Sequence, residues 1–204
     1  MRRLILCRHG QTAWNKDRRI QGLEDIDLDE TGFEQAKVLA QMVQNLELRA
    51  PRLLSSPLLR ALSTARPMAA ALGVEIETDA DLLEVDTGSY TGKRLSDLRA
   101  DPAWQAHLTD PWNSCSESFG ESASSVRERI VRAINRHCRS DESGGDFIFV
   151  THADLIRHAV MSLLGIPGHH LYQLRISNAS LTAFELDAHR VKMLGINWRT
   201  DFQI

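Results

Sequence analysis

Two short apolar runs constrain this chain more than any other feature: Leu-Ile-Leu-Cys at residues 4–7 and Phe-Ile-Phe-Val at residues 147–150. Each is unbroken, as a strand buried on both faces must be, and strands of that kind belong to parallel sheets covered by helices. The intervening sequence supplies the helices. Thr31 with Glu34 forms a capping-box pattern ahead of Ala36, Leu39, Val43 and Leu46 at helical spacing. After a strand at residues 52–55, Ser56-Pro57 reads as an N-cap and first turn. The helix that follows has a stripe of Leu58, Leu62, Ala65, Ala69 and Leu72, with Arg60 and Thr64 on its polar side. Ser125 with Glu128 opens a further helix through Val126, Ile130 and Ile134, and another is expected over residues 154–164. Residues 181–186 and 191–196 read as sheet-edge strands. The alternation of strands and helices predicts an α/β fold. It is expected to form one domain over residues 1–204, with a less periodic, lid-like insertion at about 85–120.

Composition removes several function classes. The 204 residues are 43% apolar and 25% charged, ordinary values for a globular chain rather than a disordered or fibrous one. Lysine plus arginine number 24 against 27 acidic residues, so a net charge of −3 gives no whole-surface attraction for nucleic acid. Cys7, Cys115 and Cys138 are odd in number, far apart and outside CxxC spacing, which points to reduced thiols. Only four apolar residues separate Arg3 from Arg8, too few for a secretory core, and no run reaches membrane-spanning length. The chain therefore reads as cytoplasmic, without a membrane partner. The sequon at Asn178-Ala179-Ser180 is taken as chance.

Each apolar run stops on a histidine: Arg8-His9-Gly10 after the first, Thr151-His152 after the second. Ligands of open α/β sheets collect beyond the carboxyl ends of the strands, so His9 and His152 are candidates for one pocket. For either histidine alone, a capping hydrogen bond at the strand end is an equally good account. Other motifs fail on inspection. Gly88 to Arg94 is one residue short of a P-loop and lacks its hydroxyl. His152 with His158 has no HExxH arrangement, and His169-His170 are adjacent, so no metal site and no cofactor are implied.

The local sequence carries more. Residues 8–15, Arg-His-Gly-Gln-Thr-Ala-Trp-Asn, resemble the signature of the histidine phosphatase superfamily, the group that includes phosphoglycerate mutase. The resemblance continues in order through Gln21-Gly22, Thr31-Gly32, Ser55 to Ala61 with Thr64, Leu83-Glu84, Gly120-Glu121-Ser122 and Thr151-His152. It implies a phosphoglycerate mutase-like fold, a three-layer α/β/α sandwich around a mostly parallel central sheet with an antiparallel edge, and a phosphoric monoester hydrolase of the histidine acid phosphatase type. His9 would be the nucleophile that forms a phosphohistidine, and Glu84 the general acid and base. Arg8, Arg60 and His152 would complete the catalytic set and the phosphate cradle. Asn15, Gln21 and Gly22 match substrate-loop positions, and Ala153, next to His152, would join them in binding substrate or phosphate. Trp104, His107 and Trp112 read as lid packing rather than substrate contacts.

This assignment matches the chemistry. Charge spread over three equatorial phosphoryl oxygens needs a fixed cationic cradle. A cation in the first turn of a helix, as at Arg60, faces the positive end of the dipole unless an anion sits there. Glu84 presents a problem, since an ordinary glutamate near ~4.3 is ionised at neutral pH; burial must raise it, or the substrate must bring the proton. The compact stretch from Glu84 to Gly120 favours a phosphatase acting on a small phosphorylated metabolite over a mutase. A non-catalytic phosphate-binding or scaffold protein is the alternative of another class. Ala153 stands where the family commonly has glycine, and with Asp154 it is expected to displace His152 or repel very acidic substrates. A homodimer through an edge strand is left open.

Overall fold

The structure, a computed structural model, describes residues 1–112, 119–139, 144–187 and 190–200. Six strands form one sheet: β1 (Arg2–Arg8), β2 (Arg52–Ser55), β3 (Ile76–Thr78), β4 (Phe147–Thr151), β5 (Leu181–Leu186) and β6 (Val191–Trp198), in the order β3-β2-β4-β1-β5-β6. The two apolar runs are direct neighbours. β1 pairs with β4 in parallel, Leu4 opposite Phe147 through Arg8 opposite Thr151. β4–β2 and β2–β3 are also parallel, while β5 runs antiparallel to β1 and to β6. Of the two C-terminal runs, only β6 lies at the sheet margin; β5 is enclosed between β1 and β6.

Side-chain alternation divides the core. Leu4, Leu6, Phe147 and Phe149 point to one face, where α5 (Ala123–Ile134) and α6 (Ala153–Leu164) cover them. Ile5, Cys7, Ile148 and Val150 point to the other, beneath α2 (Glu30–Gln44) and α3 (Leu59–Leu72). These are the expected three layers. Among the described residues, two further α-helices lie outside them: a single turn, α1 (Ala13–Lys16), after β1, and α4 (Pro102–Thr109) in the insertion. Among the described residues, no helix is long and apolar enough to cross a membrane.

Helix starts differ from the sequence reading. The cap of α2 is Asp29, whose carboxylate accepts from Gly32 N at 2.8 Å, not Thr31. The cap of α5 is Ser122, one residue after Glu121, not Ser125. Ser56 does not cap α3; instead Leu59 N donates to Asp25 across the loop at 2.7 Å. The buried face of α3 is also rotated from the expected stripe, to Arg60, Ala61, Thr64, Ala65 and Met68, because Arg60 and Thr64 turn inward. β3 was not expected from the sequence.

In the insertion, short 3-10 turns at Ala80–Leu82 and Gly88–Tyr90 lead to α4, whose N-cap Asp101 accepts from Ala103 N and Trp104 N at 3.0 Å. The segment at Gly88 is such a turn, with no P-loop strand and helix around it. Cys115 and Ser143 lie outside the described residues. Cys7 is buried, which pushes its thiol up to about 12.

Candidate active site

The parallel pairing of β1 and β4 brings the two histidines together. His9 N continues the ladder by donating to the Thr151 carbonyl at 3.0 Å, and the His9 and His152 rings lie 5.2 Å apart, both buried. The His9 Nδ1 is 2.7 Å from the Gly10 carbonyl. A carbonyl can only accept, so Nδ1 carries the proton and Nε2 keeps its lone pair. Burial first, then Arg8 and Arg60, hold the imidazole well below its ordinary value, so it is neutral at physiological pH.

Backbone contacts fix the His9 loop. Gly10 N donates to Thr64 Oγ1 at 2.9 Å, and Thr64 in turn donates to the Arg60 carbonyl at 2.7 Å. A side chain at residue 10 would begin 2.6 Å from the Gly32 carbonyl, so the loop needs glycine where it presses on the start of α2. Asn178 Nδ2 lies 3.2, 3.1 and 3.0 Å from the His9 carbonyl, the Gly10 carbonyl and Asn15 Oδ1. The residue of the chance sequon thus braces the loop from behind.

Arg60 is fully buried, not a solvated polar-face residue. Its Nη1 and Nη2 donate to the carbonyls of Glu24 and Gly22 at 2.6 and 2.8 Å, and its Nε donates to His152 Nδ1 at 3.3 Å. Because Nδ1 accepts, the His152 proton sits on Nε2, which donates to Ser56 Oγ at 2.8 Å. Burial first, then Arg60, holds His152 well below its ordinary value. Ser56, read from sequence as a helix cap, orients this imidazole. Gly22, with φ of +52°, sits where a side chain would strike Thr87 Oγ1, so the 22–24 loop can close on Arg60 only with glycine there. Gln21 joins it by accepting from Thr12 Oγ1 at 2.9 Å.

A cavity of about 310 Å³ opens in front of His9, lined by Arg8, Asn15, Gln21, Gly22, Glu84 and Ala153 among others. Arg60 and His152 form the layer behind it. Arg8 Nη1 donates to the Ile176 carbonyl at 2.7 Å, while its buried Nε has no partner among the described residues. A buried donor without an acceptor costs about 1–3 kcal/mol, a cost that an anion in the cavity relieves. Burial, and after it Arg157, pulls Arg8 down to about 10, so it remains a cation. Glu84 accepts from Val85 N at 3.0 Å. Desolvation first, then the neighbouring charge of Asp154, raises its carboxyl to about 7.

What holds Glu84 is a residue that sequence reasoning missed. Arg129 of α5, almost fully buried, donates through Nη1 to the carbonyls of Asp81 and Leu83 at 3.0 and 2.6 Å, and through Nη2 to that of Glu84 at 3.1 Å. Its Nε and Nη2 also bind the Glu121 carboxylate at 2.8 and 2.9 Å, so all five guanidinium hydrogens are used. Trp104 and His107 line the cavity. Trp112 does not: it packs its edge on His158, 5.7 Å between ring centres, away from His9. Among the described residues, no group of three or more side chains could hold a metal ion.

The sequence model of the histidine phosphatase superfamily (branch 1) matches residues 4–199. The chain belongs to this superfamily. A probable phosphoglycerate mutase of Yersinia pestis is 31% identical over 97% of this chain and 90% of its own. Among solved structures, phosphoserine phosphatase of Entamoeba histolytica in complex with 3-phosphoglyceric acid superposes with a TM-score of 0.86 at 27% identity, covering 98% of each chain. Mycobacterial glucosyl-3-phosphoglycerate phosphatase, complexed with VO3, gives 0.82 at 30% identity over 97% of this chain and 99% of that one. Membership of this superfamily, with phosphatases and mutases as neighbours, makes the chain a phosphoryl-transferring or phosphoryl-hydrolysing enzyme.

Proposed function

We propose that the protein is a metal-independent, cytoplasmic phosphomonoesterase that works through a phosphohistidine on His9. The observation that carries this reading is the pairing of a neutral His9, its lone pair held on Nε2, with a half-buried Glu84 whose carboxyl titrates near neutrality in the same cavity. In the first step, Nε2 attacks phosphorus and the ester P–O bond breaks. The Glu84 proton passes to the departing alkoxide. In the second, the Glu84 carboxylate takes a proton from water, the water oxygen attacks phosphorus, and the P–N bond breaks. This releases phosphate and restores both groups. Arg8 meets the phosphoryl oxygens, with Arg60 and His152 behind them, and this fixed charge does the work that a metal does elsewhere. Asn15 Oδ1 accepts from Thr12 and from Asn178, which leaves the amide hydrogens to an incoming oxygen.

The substrate is a small phosphorylated metabolite, as the phosphoserine and glucosyl-phosphoglycerate phosphatases among the structural neighbours support. The insertion is read as a lid on a single domain. The decisive experiment is phosphate release in excess chelator. Wild type should turn over p-nitrophenyl phosphate and, quenched rapidly, retain phosphate on His9; His9→Ala should do neither while keeping its fold. Turnover by His9→Ala would remove the nucleophile assignment.

A further inference from the structure

We propose that the part of the cavity beyond the phosphate cradle is a leaving-group subsite for a flat, uncharged and largely apolar alcohol portion. This rests on the phosphatase reading above. Three half-buried rings form its wall. Phe119 stacks on His107 with centres 4.1 Å apart, and lies nearly parallel to Trp104, 16° between planes at 5.9 Å. Tyr90 backs Phe119 at 4.7 Å and is itself buried, so the wall is braced from behind. Ile20, Leu95 and Leu108 extend the apolar lining. Leu95 is 44% exposed, a contact surface left uncovered beside the mouth.

Charge at this end is already matched. Arg157 donates to Asp154 at 2.6 Å and to the Leu174 carbonyl at 2.9 Å, with its guanidinium over Tyr172. Arg19 donates to the Gly92 carbonyl at 3.0 Å and faces Asp17 at 3.8 Å. A second acid on the substrate would therefore compete with Asp154 for Arg157, and would leave that half-buried carboxylate without its partner. A ring demands neither. It displaces water from the aromatic wall, and the offset, nearly parallel faces of Trp104 and Phe119 suit a flat group. The cavity falls within the size range of small-molecule sites, larger than a phosphoryl group alone requires.

Intrinsic reactivity must be kept constant in the test, so the comparison uses primary alkyl esters. For 2-phenylethyl phosphate, kcat/KM should exceed that for ethyl phosphate by about 10–100-fold, the range expected from burying one phenyl-sized group. It should also exceed that for phosphoserine and 3-phosphoglycerate. Trp104→Ala should lower the phenylethyl-to-ethyl ratio by about tenfold, and Trp104→Leu, which keeps apolar volume without the flat face, should fall between. A preference for either acidic ester, or a ratio near one in wild type, overturns the subsite while leaving the phosphatase reading intact. So does a ratio unmoved in a folded Trp104→Ala variant. Failure to release phosphate from any ester, p-nitrophenyl phosphate included, overturns both together.

Discussion

Arg60 Nε donates to His152 Nδ1, and this single 3.3 Å contact decides which nitrogen of the second histidine carries its proton. A doubly protonated His152 would have to give up that bond and place a cation beside a guanidinium. The resting site thus holds two neutral imidazoles, and its positive charge comes from Arg8 and Arg60. In side-chain NMR titrations assigned with His9→Ala and His152→Ala, neither ring should titrate near the ordinary ~6.5. Arg60→Ala should raise the His152 value, because a neighbouring charge and a donor to Nδ1 are both removed. Ordinary titration of His152 in wild type would contradict the geometry.

Glu84 can be tested through its leaving group. If it protonates the departing oxygen, Glu84→Gln should slow phosphoryl transfer from an alkyl ester by roughly 10²–10⁴-fold, and from p-nitrophenyl phosphate far less. The single-turnover burst of nitrophenol is the cleaner readout, since the same residue serves the second step. For alkyl esters, kcat/KM should fall as pH rises through about 7, where the acid form is lost. Equal slowing of both esters would assign Glu84 to binding.

The same residue affects stability. Its carboxyl holds a proton to about 7 when folded but only to ~4.3 when unfolded. Its contribution is complete below the unfolded value and is lost as pH rises through the folded one. Melting of Glu84→Gln relative to wild type should therefore shift in the variant's favour between about pH 4.5 and 7.5. A gap independent of pH would show that the carboxyl is not raised.

Arg129 should act through Glu84. Arg129→Lys keeps the charge but cannot supply five donors in a plane. It should cut kcat for an alkyl ester by about 10–100-fold, because small displacements of a catalytic group carry penalties of that order, with less effect on p-nitrophenyl phosphate. A general loss of structure would lower both alike. Glu121→Gln, which weakens the same clamp from its other side, should show the same leaving-group dependence at smaller size.

Isomerisation separates the two branches of the superfamily. With 3-phosphoglycerate as substrate, formation of 2-phosphoglycerate should be far slower than phosphate release from the best monoester. Efficient isomerisation would move the chain toward the mutases.

The strands that carry the histidines were legible because a run buried on both faces has no polar position to confuse it. Helix starts were less so. Thr31-Glu34 and Ser125-Glu128 satisfy the capping pattern, but Asp29 and Ser122 lie nearer the true first turns and bind their amides. β3 escaped notice because Ile76–Thr78 has three residues, none of them buried. The roles of Arg129 and Ser56 were hidden for another reason: a polar residue on an amphipathic helix or at a helix entry looks the same whether it meets water or a buried partner. Only the fold distinguishes the two.

The strand order has a consequence for the birth of the protein. Of the six strands β1 leaves the ribosome first, yet both its neighbours, β4 and β5, are not made until residues 147–186. Until residues 147–186 have been made, the strand leading to His9 has two bare edges and no lateral partner. Over that interval the nascent protein carries the proposed nucleophile without a site to use it, and it must keep an apolar strand from pairing elsewhere. Catalytic competence is therefore a late event in folding, and slow translation through the helices between β2 and β4 would prolong the interval in which β1 is exposed to aggregation.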